Sequence, residues 1–134
     1  MIVVDTNVIA YLWMPGKFTQ AAERVLKSDT DWAVPLLWRS EFRSILVGAV
    51  RHKTLLPERA AAIAAAAEDH VSGREYAVES SAVLGLAIQS GCSAYDCEFV
   101  TLANDLGVRL ISNDRELIAS FPSIVTPLAQ FASE

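Results

Sequence analysis

The chain has 134 residues, of which 52% are hydrophobic and 20% are charged, and its formal net charge at pH 7 is −5. This length predicts one domain, residues 1–134, and the apolar content excludes a disordered chain. The negative charge excludes a broad basic surface for nucleic acid, although bound divalent cations can supply positive charge locally. Because no apolar stretch predicts a membrane span or a signal peptide, we expect a cytoplasmic location and no membrane partner.

Short apolar strands alternate with helices along the chain. Strands are predicted at Ile2–Val4, Trp32–Val34, Tyr76–Val78, Val108–Ile111 and Ile124–Thr126. Helices are predicted at Thr6–Trp13, Thr19–Ser28, Leu36–Arg51, from Pro57 onward, Ser80–Ser90, Ser93–Leu106 and Arg115–Ser120, before a tail at Leu128–Phe131. This alternation predicts an α/β domain of three layers, α/β/α, in which helices flank a parallel sheet of about five short strands.

Two acids come soon after predicted strands. Asp5 directly follows the first strand, and Asp114 follows the strand that ends at Ile111. Since ligands bind beyond the carboxyl ends of parallel strands, both acids are candidate functional residues. Each also precedes a predicted helix, so a structural N-cap is the alternative role for both.

Two further acids lie on predicted helices. Glu41 stands four residues after Leu37 and four before Ile45, within the apolar stripe of its helix. Burial of a lone carboxylate is unfavourable unless it is paired or binds a metal, so Glu41 is a candidate as well, unless it lies at the edge of the stripe. Asp96 follows Ser93 at the spacing of a capping box, which is a purely structural alternative.

The predicted sheet brings these four acids towards one edge. Asp5 and Asp114 are assigned to that edge, and the helices that carry Glu41 and Asp96 begin near it. Hard divalent ions such as Mg²⁺ or Mn²⁺ prefer clustered carboxylates, and such a site can activate water and stabilise charge on a phosphate. The sequence therefore predicts a site that can hold one or two metal ions and act on a phosphate by in-line displacement.

The four acids occur in the segments Val3-Val4-Asp5-Thr6-Asn7, Ser40-Glu41, Ser93-Ala94-Tyr95-Asp96 and Ile111-Ser112-Asn113-Asp114. With these segments the chain resembles the PIN-domain nucleases over essentially its whole length, and most of all the VapC-type toxins of bacterial toxin–antitoxin pairs. The resemblance implies an endoribonuclease that depends on Mg²⁺ or Mn²⁺.

The resemblance also implies roles for individual residues. Asp5, Glu41, Asp96 and Asp114 match the family's four catalytic and metal-binding acids. Two hydroxyl residues match its accessory positions, and an amide has a supporting role beside Asp5: Thr6, Ser112 and Asn7. Ser112 stands where the family often has threonine, and it keeps the hydroxyl group.

The resemblance further implies an RNA substrate, a VapB-like antitoxin and a homodimer. Side chains that can contact RNA phosphates are Arg39, Arg43, Arg51, Lys53 and Arg115, and the alternative for them is a set of solvated surface charges. The apolar segment Tyr11–Met14 is expected to pack in the core or, following the resemblance, to form a groove for an antitoxin segment.

A non-catalytic RNA- or protein-binding module of the same fold is the competing interpretation, and the presence of all four acids argues against it. A phospho-acceptor signalling domain needs a lysine late in the chain, and no lysine follows Lys53. A phosphatase with an aspartyl nucleophile usually carries a second acid two residues after the first, where this chain has Asn7.

Overall fold

A computed structural model describes residues 1–133 of the chain, so Glu134, the last residue of the predicted domain, lies outside the described residues. The strands are β1 (Ile2–Val4), β2 (Trp32–Pro35), β3 (Glu75–Tyr76), β4 (Leu110–Ile111) and β5 (Val125–Thr126). The helices are α1 (Thr6–Trp13), α2 (Thr19–Ser28), α3 (Trp38–Arg51), α4 (Pro57–His70), α5 (Ser80–Ser90), α6 (Ala94–Leu106), α7 (Arg115–Ser120) and α8 (Leu128–Ala132).

All strands of the sheet are parallel, in the order β3-β2-β1-β4-β5. The central strand β1 pairs through Val3 with Ala33 on one side and with Leu110 on the other. The chain runs from β1 to β2 and β3 on one side and returns to β4 and β5 on the other. Such a reversal opens a crevice beyond the carboxyl ends of β1 and β4.

The sheet is buried because helices cover both of its faces. Val3 and Val4 in β1 have no exposed surface, and Trp32 in β2 is likewise fully buried. Helix α6 packs on β1, β2 and β4 through a run that includes the buried Phe99. Asp5 directly follows β1 and Asp96 lies in the first turn of α6, so both residues are attached to buried elements of the core.

Helix α3 begins later than predicted. The sequence pattern placed its start at Leu36, but the Leu36 amide donates to the Tyr76 carbonyl at 3.0 Å and so extends the β2–β3 pairing. The helix starts at Trp38, whose ring is fully buried. Strand β3 covers Glu75–Tyr76 instead of the predicted Tyr76–Val78.

The strands near the carboxyl terminus are also shorter than predicted. The Val108 amide donates to the Ala103 carbonyl at 3.0 Å and thereby closes α6, so β4 begins only at Leu110. The predicted tail is helix α8, which packs against α2. Its first residue, Leu128, is buried, and its amide donates to the Asn113 side chain at 3.2 Å.

The segment Tyr11–Met14 packs against the core and is half buried, in agreement with the first of its two expected roles. The Trp13 ring lies edge-on to the His70 ring, with 6.2 Å between the ring centroids. No helix in residues 1–133 combines the length and the hydropathy that a membrane span needs.

Candidate active site

One pocket at the carboxyl edge of the sheet contains all four predicted acids. Its volume is about 410 Å³. It is lined by Asp5, Thr6, Asn7, Glu41, Ser44, Ile45, Asp96 and Asp114. We call it the acidic pocket. It lies where the reversal of strand order between β1 and β4 predicts a ligand site.

Asp5 is held in the acidic pocket by Ser112. The Ser112 hydroxyl donates to Asp5 Oδ2 at 2.7 Å and accepts from the Asp114 amide at 3.0 Å. Ser112 is fully buried, and Asp5 is 9% exposed. Asp5 precedes α1 but, among the described residues, its side chain makes no capping hydrogen bond, so the structural N-cap role is not formed.

Glu41 is held in the same way by a second hydroxyl. The Thr6 hydroxyl donates to Glu41 Oε1 at 2.7 Å. Thr6 is the first residue of α1 and is buried, whereas Glu41 is the fourth residue of α3 and is half buried. The two residues that the family resemblance marks as accessory hydroxyls therefore each donate to one of the acids.

Asp96 and Asp114 lie in the acidic pocket and also belong to helix termini. The Asp96 amide donates to the Ser93 hydroxyl at 3.0 Å, which is half of the predicted capping box. Asp114 Oδ1 accepts from the Leu117 amide at 3.0 Å and caps α7. Asp114 therefore has the N-cap role that the sequence offered as its alternative, and this hydrogen bond fixes its carboxylate at the edge of the pocket.

Burial and mutual repulsion disfavour the charged forms of these acids. The pKa of Asp5 is raised, chiefly by burial and further by the negative charges of Asp96 and Asp114, although the hydrogen bond from Ser112 opposes the shift. The pKa of Asp96 is likewise raised, first by burial and then by the charge of Asp114.

Glu41 follows the same pattern. Its pKa is raised by burial first and then by the charges of Asp5, Asp96 and Glu98, and the hydrogen bond from Thr6 opposes the shift. Within residues 1–133 the pocket lining includes no lysine, arginine or histidine. The pocket therefore concentrates negative charge without a protein cation to balance it.

The donor set fits a hard divalent cation, because Mg²⁺ and Mn²⁺ prefer carboxylate oxygens. In the part of the chain that the structure describes, no three acidic, histidine or cysteine side chains converge as a ready-made metal cluster. Mg²⁺ usually keeps several water ligands and contacts only one or two protein carboxylates. A pocket without three converging carboxylates therefore still suits this ion.

Three other pocket residues complete the description. Asn7 is exposed and, as far as residues 1–133 show, makes no hydrogen bond to Asp5, so Ser112 takes the bracing role expected for Asn7. Ser44 and Ile45 were not predicted as pocket residues. They follow Glu41 by three and four positions, so the helical period could have identified them.

The predicted RNA-binding residues fall into two groups. The Arg39 guanidinium contacts Glu75 through Nε at 2.7 Å and a terminal nitrogen at 2.8 Å, and it contacts Glu68 at 3.0 Å. These acids occupy three of its five N–H donors, so Arg39 is less free than the other predicted residues to contact a phosphate. The remaining candidates are exposed: Arg43, Arg51, Lys53 and Arg115.

Comparison with known proteins places this chain in a family. Residues 2–120 match the PIN domain family model, so the chain belongs to the PIN domain family. The chain is 28% identical over 129 residues to Ribonuclease VapC3 of Pyrobaculum aerophilum, and the match covers 94% of this chain and 98% of that protein. The family resemblance predicted from the sequence is confirmed.

Two solved structures share the fold. PAE2754 from Pyrobaculum aerophilum has a TM-score of 0.76 at 19% identity, covering 99% of this chain and 90% of its own. A toxin–antitoxin complex from Klebsiella pneumoniae has a TM-score of 0.68 at 16% identity, covering 96% of this chain and 98% of its own. The predicted three-layer α/β/α fold is confirmed.

Proposed function

We propose that this chain is a metal-dependent endoribonuclease and the toxin of a VapBC-type toxin–antitoxin pair. The observation that carries the proposal is the acidic pocket, whose lining includes four carboxylates from distant parts of the chain. Membership of the PIN domain family and the similarity to Ribonuclease VapC3 support RNA as the substrate.

In this proposal Asp5, Asp96 and Asp114 hold Mg²⁺ or Mn²⁺ directly or through water, and Glu41 binds the metal or orients water. A bound divalent ion supplies positive charge to the phosphate and lowers the pKa of a coordinated water. The hydroxyls fix the two carboxylates that they contact before substrate arrives, which preorganises the site.

The proposal extends to binding partners. The exposed Arg43, Arg51, Lys53 and Arg115 contact RNA phosphates, and they supply positive charge locally on a chain whose net charge is −5. A VapB-like antitoxin and a second copy of the chain are the protein partners, as the VapC-type resemblance implies. These partner assignments rest on family membership rather than on the pocket geometry.

The test is cleavage of a labelled mixed-sequence RNA by the purified chain, with Mn²⁺ or with a chelator. We expect cleavage with Mn²⁺ only, and we expect Asp5→Asn to lower the rate more than about 100-fold, because it removes a ligand charge from the cluster. The matched control is Asp31→Asn, an exposed acid at the opposite edge of the sheet, which should cut at the parent rate.

Two results would contradict the proposal. Cleavage by Asp5→Asn at the parent rate would remove the acidic pocket from the reaction. A folded parent chain that leaves RNA intact in Mn²⁺ would favour the non-catalytic binding module instead. Circular dichroism of each variant shows whether the fold is retained.

A further inference from the structure

A second pocket lies beside the acidic pocket, beyond the carboxyl ends of β2 and β3. Its volume is about 410 Å³. Its lining is mainly apolar and aromatic, with one carboxylate, and includes Leu36, Tyr76, Val78, Val83, Leu84 and Glu98. We call it the apolar pocket. Because all strands are parallel, it opens at the same edge of the sheet as the acidic pocket.

The start of helix α6 separates the two pockets. Ala94 and Glu98 line the apolar pocket, whereas Asp96 between them lines the acidic pocket. Residues two positions apart on a helix point about 200° away from each other, so one helical turn serves both pockets.

We propose that the apolar pocket binds a base of the RNA strand next to the cleaved phosphodiester, and that Glu98 selects a base that carries an amino group. This inference rests on the proposed ribonuclease function. Single-stranded RNA is recognised by aromatic and apolar contacts with the faces of its bases and by hydrogen bonds to their edges. The apolar pocket offers Tyr76 and aliphatic side chains for the faces and Glu98 for the edge.

The charge of the apolar pocket determines which part of RNA it accepts. Glu98 is the one charged side chain in its described lining, so the apolar pocket repels phosphate. An ionised carboxylate accepts hydrogen bonds and cannot donate them. It therefore selects N–H donors, such as the amino group of cytosine, adenine or guanine. Uracil offers only its N3–H group, which lies between two carbonyl oxygens that repel a carboxylate, so we expect uracil to be disfavoured at this position.

The apolar pocket is open rather than filled by its own side chains. Leu36 and Leu84 at its rim are 55% and 54% exposed. A base inserted there buries part of this apolar surface and brings its edge to Glu98. An apolar protein segment in the same place would bury the Glu98 carboxylate without a donor, which is unfavourable. This difference favours a base over a protein segment.

The experiment measures base preference directly. An RNA with a randomised segment is cut by the parent chain and by Glu98→Gln in Mn²⁺, and the cut sites are sequenced. We expect the parent to prefer amino-bearing bases at one position near the cut and Glu98→Gln to reduce that preference about tenfold, since a good base-edge contact discriminates by this order. The ratio between bases is insensitive to a general loss of rate.

Asp105→Asn is the matched control, because it removes an exposed negative charge from the same helix outside the apolar pocket. It should keep the parent preference. Binding to poly(A), poly(C) and poly(U) in chelator is measured in parallel by fluorescence anisotropy, with the parent chain and Glu98→Gln. This second readout does not depend on cleavage.

The outcomes separate the two proposals. Cleavage whose base preference is the same in the parent and Glu98→Gln contradicts the base pocket and leaves the ribonuclease proposal intact. The parent could instead fail to cleave RNA and still bind poly(U) more weakly than poly(A) or poly(C). If Glu98→Gln also loses that difference in binding, the result contradicts the ribonuclease proposal and supports the base pocket. The mass of the particle in solution is measured for both chains by analytical ultracentrifugation. If Glu98→Gln differs from the parent in this mass but not in base preference, the apolar pocket is a protein interface and the inference is wrong.

Discussion

Helix α3 lies between two groups of charged side chains with opposite surroundings. In one group an arginine is paired with acids, and in the other an acid has further acids around it. Arg39 and Glu41 are two positions apart, so they point to different sides of the helix. On one side Arg39 pairs with Glu75 and Glu68, and its hydrogen bonds hold the pKa of Glu75 below the usual value. On the other side Glu41 faces further acids, and burial above all raises its pKa.

The comparison shows that contacts with other elements, and not closeness in sequence, decide which acids have a cation beside them. Arg39 is close in sequence to Glu41, yet Glu75 and Glu68 hold its guanidinium on the far side of the helix. The ion pairs of Arg39 with Glu75 and Glu68, which we call the arginine cluster, contribute to the stability of the fold, whereas burial and mutual repulsion of the acids in the acidic pocket oppose it. Acids whose pKa values are raised by burial and by neighbouring negative charges concentrate at functional sites.

The largest expected effect is the response of the melting temperature to Mn²⁺, which should depend on the acidic pocket and not on the arginine cluster. Mn²⁺ that binds the folded chain stabilises it by mass action, by about 2.7 kcal/mol at 100 times its dissociation constant. We therefore expect the melting temperature of the parent to rise with Mn²⁺ relative to chelator. Asp5→Asn should lose most of this rise, because it removes a charge from the acidic pocket.

Glu75→Gln is the control for this measurement, because it changes the arginine cluster and leaves the acidic pocket intact. Its response to Mn²⁺ should equal that of the parent. A parent melting temperature that is indifferent to millimolar Mn²⁺ would contradict a metal site, and so would an equal rise in Asp5→Asn.

Ser112→Ala should produce the next largest effect. The substitution removes the donor to Asp5 Oδ2 and the acceptor of the Asp114 amide, both in a buried position. We expect a loss of about 1–3 kcal/mol in the free energy of unfolding, since unsatisfied buried polar groups are costly. Urea unfolding in chelator measures it.

Ser44→Ala is the matched control for this effect. Ser44 lines the same acidic pocket but is exposed, and its side chain makes no hydrogen bond within residues 1–133. Its free energy of unfolding should stay within about 0.5 kcal/mol of the parent. If Ser112→Ala were as stable as Ser44→Ala, the brace between β1 and β4 would have no energetic role.

The elements of the fold were predictable where local signals are strong. The β-branched run Ile2–Val4 identified the central strand, and Gly91 and Gly107 correctly marked the ends of α5 and α6, where both adopt the left-handed backbone with φ of +78° and +66°. Strands β3, β4 and β5 contain only two residues each, so periodicity could not set their bounds.

The place of the acids was predictable, and the resemblance marked Thr6 and Ser112 as accessory hydroxyls, but which acid each hydroxyl contacts was not predictable. Asp5 and Asp114 follow strands, and the rule that parallel strands end at one edge brings them together. The hydrogen bond between Ser112 and Asp5 joins positions 107 residues apart, and nothing local to either residue indicates it. The same holds for Arg39, whose acidic partners lie 29 and 36 residues away.

The smallest expected effect concerns Glu75→Gln and its dependence on pH. The pKa of Glu75 is lowered in the folded chain, first by the hydrogen bonds from Arg39 and also by the one from Trp38, while burial opposes the shift. An acid with a lowered folded pKa contributes stability above its unfolded pKa and loses that contribution as the pH falls through the folded pKa. At neutral pH we expect Glu75→Gln to be less stable, because it loses charged hydrogen bonds with Arg39. The loss should be only about 1 kcal/mol, since the Arg39 side chain is 38% exposed and solvent screens the pair.

The difference between Glu75→Gln and the parent should therefore shrink as the pH falls below the usual glutamate value of 4.5 and disappear once Glu75 is protonated in the folded chain. Urea unfolding across a series of acidic to neutral buffers measures it, with the exposed Glu79→Gln as the control. A stability difference that is the same at acidic and neutral pH would mean that shape, not charge, joins Glu75 to Arg39. In that case the arginine cluster would no longer be the charged counterpart of the acidic pocket.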